Sequence, residues 1–289
     1  MGEFSMVMTI RHALRLSVAV AAPLLLVACQ SAGPDFQAIS LNQAQGAAGN
    51  IESLTAAVNA SPQNPEVYNV RGTAYGQAGQ YGRAVDDFTR AVQIDPNYYQ
   101  AYANRALVLR QEGKLSEAAA DYSRALQINP NYDTAYIGRG NIYRVAGRNR
   151  EALADFQRAI DLNTTDPRAY HNRGLLYQID GQHRQAIEDF STAISMEANS
   201  PEPYSARSIS YLALKNVDDA RDDINRALQL DNAKAEYWVN QGLILEAAGE
   251  TSKAYRAFAR GAQLDPKYAP ARDGMGRTQS GAGAPAASS

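Results

Sequence analysis

From Pro65 to Tyr268 the hydrophobic and polar positions of the chain recur every 34 residues, six times over, without an insertion or a deletion. The fourth position of the unit is Tyr68, Tyr102, Tyr136, Tyr170, Tyr204 and Trp238, and the eleventh is Tyr75, Leu109, Tyr143, Tyr177, Tyr211 and Leu245. The twenty-fourth is Phe88, Tyr122, Phe156, Phe190, Ile224 and Phe258. Large residues three, four and seven positions apart share one face of a helix. Small residues lie between them: Gly72, Ala106, Gly140, Gly174, Ser208 and Gly242 at the eighth position, alanine throughout at the twentieth, and alanine until Gly261 at the twenty-seventh. Two helix backbones can approach closely at such positions. The fifteenth position, glycine except for Lys215, suits a tight turn between helices. Pro96, Pro130 and Pro266 stop the second helix of three units. Each unit therefore reads as helix A, turn, helix B, burying its apolar face only by stacking on its neighbours. Such an array builds an extended surface for binding.

These columns resemble the tetratricopeptide repeat (TPR), with local departures at Thr164, Ala198 and Asn232 (closing proline), Lys215 (turn glycine) and Gly261 (last alanine). The resemblance implies an all-α, right-handed superhelical solenoid of six units: 65–98, 99–132, 133–166, 167–200, 201–234 and 235–268. Leu54, Ala57 and Pro62 continue the register backwards, so residues 51–64 are expected to form a lone capping helix. Residues 269–289 are expected to be a short, glycine-rich cap followed from Arg277 by a disordered tail.

The N-terminus reads as a targeting segment. Arg11 and Arg15 precede an apolar run, Leu16 to Ala28, too short to span a bilayer as a helix. The run ends Leu26-Val27-Ala28-Cys29, which resembles the lipobox of bacterial lipoproteins. That resemblance implies a signal peptide over 1–28 and a lipid on the Cys29 thiol, with 29–50 as a flexible tether. Gln30 stands where a retention aspartate would hold a lipoprotein in the inner membrane. The implied address is therefore the periplasmic face of the outer membrane of a Gram-negative cell. Cys29 is the only cysteine, which excludes an intramolecular disulfide.

Charge narrows the partners. Of 28 basic and 30 acidic residues, removal of 1–28 leaves 26 and 29, a balance that argues against a nucleic-acid partner. The sequence offers no catalytic, cofactor or metal constellation. Its histidines beyond the leader are His171 and His183 alone, and Gly138 and Gly140 are followed by Tyr143 where a dinucleotide loop needs glycine. Paired carboxylates (Asp86/Asp87, Glu188/Asp189, Asp222/Asp223) recur at one place on helix B, as a repeated face does. A chain that is not an enzyme, with no cofactor beyond the lipid, is the expectation.

One polar pair repeats. Arginine at the seventh position (Arg71, Arg105, Arg139, Arg173, Arg207) accompanies aspartate at the twenty-third (Asp87, Asp121, Asp155, Asp189, Asp223), and the two vanish together as Gln241 and Ala257. This pattern predicts a structural bridge from helix A to helix B within each repeat, with the guanidinium beside tyrosine rings. A local pairing of Asp121 with Arg124 is the alternative.

The TPR resemblance further implies a concave groove lined by helix A. Its contact positions here are Asn69, Thr73, Asn104, Leu107, Arg110, Ile137, Asn141 and Arg144. Further along they are His171, Asn172, Leu175, Gln178, Ser205, Ile209, Asn240 and Leu243. Amides can pair with the backbone of an extended peptide and apolar groups can hold its side chains. The family's chaperone-tail clamp needs lysine at the fifth position, and no unit has one. The expected function is a lipid-anchored scaffold that binds another envelope protein, such as a protease or peptidoglycan hydrolase. The alternatives are an assembly factor or pilotin for an outer-membrane complex and, less favoured, a glycan binder.

Overall fold

A computed structural model describes residues 47–279, and every element within them is a helix or a turn. The leader, Cys29, the tether as far as residue 46 and the tail from 280 lie outside the described residues. Helix α1 (Ala47–Ala60) precedes six pairs: α2 (Pro65–Gln77) with α3 (Tyr81–Ile94), α4 (Tyr99–Gln111) with α5 (Leu115–Ile128), and α6 (Asp133–Val145) with α7 (Asn149–Asp161). Then come α8 (Pro167–Ile179) with α9 (His183–Met196), α10 (Pro201–Ala213) with α11 (Val217–Leu230), α12 (Ala235–Ala247) with α13 (Thr251–Leu264), and finally α14 (Ala269–Thr278).

Local chemistry sets the ends of these helices. The side chains of Asn64 and Asp166 accept from the backbone N–H groups of Glu66 and Arg168, with Pro65 and Pro167 at the first helical position. After each A helix the chain reverses through a left-handed residue. Gln80 N–H reaches Tyr75 C=O at 2.9 Å and Gly79 N–H reaches Gly76 C=O at 3.1 Å, which satisfies carbonyls that the helix end leaves free. Lys215 takes the same conformation, with φ of 61°, and closes the same two hydrogen bonds through Asn216 and its own N–H.

Packing follows the small-residue columns. The alanines at the twentieth position are fully buried, and so are the rings of Phe88, Phe156, Phe190 and Phe258. Each ring lies on the glycine of its own A helix; a Cβ at Gly140, for example, would stand 2.9 Å from Phe156 Cε1. The second repeat solves the problem differently. Ala106 occupies the eighth position there, and the Tyr122 ring lies instead against Gly138 of the following repeat, where a Cβ would be 2.3 Å from Cζ.

Successive A helices approach one another, whereas no Cα of one B helix comes within 8 Å of the next B helix. The array is therefore tighter on the A side, which makes the A face the inner one and the B face the outer one.

Both ends differ from expectation. Helix α1 begins at Ala47, inside the stretch expected to be tether. Helix α14 carries on through Arg277 and Thr278, which sequence reading assigned to the tail. It behaves as a seventh A helix. Ala271 and Thr278 are buried, Gly274 lies under the Phe258 ring, and Arg277 pairs with Glu246 at 2.9 Å. Its glycines weaken helix propensity, but Gly274 permits the close approach to α13 that tertiary packing rewards.

Candidate protein-binding surface

The Arg–Asp column sits in the joint between helices. In each of the first five repeats the arginine donates through Nε and Nη2 to the two oxygens of the aspartate sixteen residues on, at 2.6–2.9 Å. This is a bidentate, charge-assisted geometry, which fixes orientation as well as distance. The aspartates are 4–8% exposed. Burial pushes the Asp189 carboxyl above its usual range, with Arg173 drawing it back down. Except at Arg105, which has Tyr102 alone, tyrosines flank the guanidinium on both sides, as Tyr136 and Tyr143 do at 5.8 and 5.7 Å from Arg139.

The remaining nitrogen reaches sixteen residues back. Nη1 of Arg71, Arg105, Arg139, Arg173 and Arg207 donates to Thr55, Thr89, Ser123, Gln157 and Ser191 of the preceding B helix, at 2.6–3.5 Å. Each arginine thus ties three helices together, two in its own repeat and one in the repeat before. Sequence reading missed this third partner. The signal was present, because that column carries a hydrogen-bonding side chain from Thr55 through Asn225.

The inner face needs correction. Six of the sixteen residues expected to line it are buried: Asn69, Asn104, Ile137, Asn172, Ser205 and Asn240. Several of them link neighbouring A helices. Asn104 Nδ2 donates to Asn69 Oδ1 and Asn240 Nδ2 to Ser205 Oγ, both at 3.0 Å, while Asn172 Nδ2 donates to the Arg168 carbonyl at 2.8 Å. Ile137 packs with Ala152, Phe156 and Leu176. The close approach of A helices covers these six fifth- and sixth-position residues, so they do not offer themselves to a ligand.

The other ten (Thr73, Leu107, Arg110, Asn141, Arg144, His171, Leu175, Gln178, Ile209 and Leu243) are half-buried. Gln178 spans two repeats, donating to the Ala206 carbonyl and to Ser210 Oγ at 2.9 Å. Two apolar residues at the thirteenth position, Val145 and Ile179, are 64% and 63% exposed. They belong to the face but were missed, although the thirteenth position is one the family resemblance names. Arg110, Asn141 and Val145 share a cleft of about 330 Å³.

The cations here differ from those of the joints. Arg110 makes no hydrogen bond or ion pair among the described residues. Arg144 bonds only to Asn141, at 3.2 Å; its Nε is buried without a partner, and burial lowers its proton affinity. Burial likewise holds His171 neutral, down to about 4, with Glu202 opposing the shift and Arg144 reinforcing it. Arg168 is neutralised by Asp166. Among the described residues no group of three or more His, Cys, Asp or Glu converges as a metal site, and no helix is long and apolar enough to cross a membrane.

Family profiles described as tetratricopeptide repeat match residues 65–98, 167–200 and 205–269, and one described as TPR repeat matches 106–144 and 140–181. The chain belongs to the tetratricopeptide repeat family. No curated protein sequence matches it. Among solved structures, this TPR array is similar to the APC/C hetero-tetramer Cut9–Hcn1, with a TM-score of 0.73 at 18% identity, over 82% of the present chain and 47% of that one. The chain thus spans about half the length of that relative. It also matches PilW, titled a widely conserved type IV pilus biogenesis factor (TM-score 0.64, 18% identity, 72% of this chain and 97% of that one). YrrB, titled a TPR protein with an unusual peptide-binding site, matches with a TM-score of 0.55 at 22% identity, over 65% and 97% of the two chains. At these identities the likeness is one of fold. A TPR array is a scaffold for contacts with other proteins.

Proposed function

We propose that this TPR protein is a non-enzymatic adaptor, anchored by a lipid on Cys29 at the periplasmic face of the outer membrane, that holds an extended segment of another envelope protein against its A-helix face. The observation that carries the binding half is the pair Arg110 and Arg144. Every buried arginine of the joints has an aspartate, yet these two, on the face that also exposes Val145 and Ile179, have no carboxylate. A segment that alternates acidic and apolar side chains supplies what this face lacks. The anchoring half rests on the Leu-Val-Ala-Cys sequence at 26–29 and on the uniqueness of Cys29. Recruitment of a protease or peptidoglycan hydrolase fits a tethered scaffold of this kind.

A second reading, an assembly factor for an outer-membrane complex, draws on the likeness to PilW along nearly all of that protein. Crosslinking of the full chain in cells, compared with Arg110→Gln/Arg144→Gln and with Cys29→Ala, tests both halves. The adaptor loses its crosslinked partner in the double variant, and the Cys29 variant leaves the membrane fraction. Partner capture unchanged by the double variant would remove the inner face from the proposal. Membrane retention of Cys29→Ala would remove the anchor.

A further inference from the structure

The sixth repeat lacks the brace, and a cavity lies where the brace would stand. About 420 Å³ opens on the outer face between α11 and α13, with α12 as its floor. The equivalent slot of the second repeat is partly filled by Arg105 and Asp121 and is smaller, about 360 Å³. In the sixth repeat those two positions are Gln241 and Ala257, and Gln241 retains only the backward bond, to Asn225 Oδ1 at 3.2 Å.

The charge around the slot is also exchanged. Where the second-repeat slot has Val85, Glu117 and Ala120, the sixth-repeat slot has Arg221, Lys253 and Arg256 in the same register. Position 256 is the telling one, because its counterparts are Asp86, Ala120, Ala154, Glu188 and Asp222. Glu250 alone opposes these three cations and is shared between Arg221 and Lys253. Arg256 makes no hydrogen bond or ion pair among the described residues, and Arg221 Nε is buried without a partner. Trp238 replaces the usual tyrosine at the floor, with its Nε1 donating to the Asn232 carbonyl at 2.8 Å, so its ring face stays with the slot.

The first five repeats thus hold a cation clamped inward by a carboxylate, and the sixth presents three cations around a space whose one carboxylate, Glu250, is already shared between two of them. We infer that this slot is a second docking site, separate from the inner face, for an acidic segment of a protein partner. An aspartate or glutamate side chain enters among Arg221, Lys253 and Arg256, and a neighbouring apolar side chain lies on Trp238 and Leu245. Charge-assisted hydrogen bonds to guanidinium groups supply the recognition, and the indole supplies apolar area.

Trp238 is the only tryptophan of the chain, so its emission reports on this slot alone. The full chain is titrated with a capped peptide of alternating glutamate and leucine, with its glutamine counterpart, and with inorganic phosphate. Saturable change in Trp238 emission is expected with the glutamate peptide, and affinity falls on the order of tenfold or more for the glutamine peptide, the scale of one lost charge-assisted bond. Gln241→Arg/Ala257→Asp rebuilds the brace of the other repeats, so it narrows the slot and brings a carboxylate into its lining, as Asp121 does in the second repeat. It abolishes the response while helix content is kept, and Arg144→Gln on the inner face leaves the response intact. The inference is overturned if the rebuilt brace binds as the parent does, if the two peptides bind alike, if phosphate alone reproduces the response, or if the emission does not saturate.

Discussion

Arg139 and Asp155 meet through two parallel hydrogen bonds, Nε to Oδ2 at 2.9 Å and Nη2 to Oδ1 at 2.7 Å, across the joint between α6 and α7. Asp155 is 5% exposed, so removal of the arginine strands a buried carboxylate. Arg139→Met is expected to cost ~3 kcal/mol, and the double variant with Asp155→Asn less than the sum of the two single changes. Denaturant melts of the four members of the cycle measure the coupling, and a value near zero would show that the pair is held passively by its surroundings.

Gly138 is set by Tyr122. A methyl group there would stand 2.6 Å from the phenol oxygen and closer still to Cζ. Gly138→Ala should therefore destabilise by ~1–3 kcal/mol despite its better helix propensity, because overpacking outweighs propensity. Tyr122→Leu in the same chain should recover most of the loss. A thermal melt in which Gly138→Ala equals or exceeds the parent would contradict this packing.

Lys215 holds a left-handed conformation that its counterparts assign to glycine. Lys215→Gly relieves that strain but enlarges the freedom of the unfolded chain, and the balance is a gain of ~0.5–1 kcal/mol. A decrease in midpoint on chemical denaturation would argue against strain at this turn.

His171 makes the array sensitive to acid. Folding lowers its pKa from 6.5 to about 4, so the unfolded chain takes up a proton in a range where the folded chain does not. Its contribution to stability is complete above the unfolded value and falls as pH drops from 6.5 toward 4, by at most ~3 kcal/mol. The homologous positions Ile137 and Val239 are apolar, so His171→Leu should fold and lose this part of the acid response. Equal pH profiles for the two proteins would place the sensitivity elsewhere.

Much of this architecture was readable because each column was sampled six times. One tyrosine or one glycine says little, but Arg and Asp that appear and vanish together locate a contact. The inner face was harder. Whether Asn104 or Asn240 faces solvent depends on how closely the next A helix approaches, and the sequence of a single unit does not encode that curvature. Helix α14 was obscured by its glycines, of which Gly274 lies against Phe258. The cations at 221, 253 and 256 become meaningful only when their columns are set beside the missing brace.

The joint arginines bond sixteen residues ahead and sixteen behind. Each works as a ruler laid along the chain, since one added residue in either intervening turn would carry a partner out of reach. Turns at a protein surface ordinarily tolerate length variation. Here variation would cost buried hydrogen bonds at two joints at once, which gives a physical cause for an array without insertions. Gln241 makes only the backward bond, so the turn between α12 and α13 is released from this measure and can accept inserted residues.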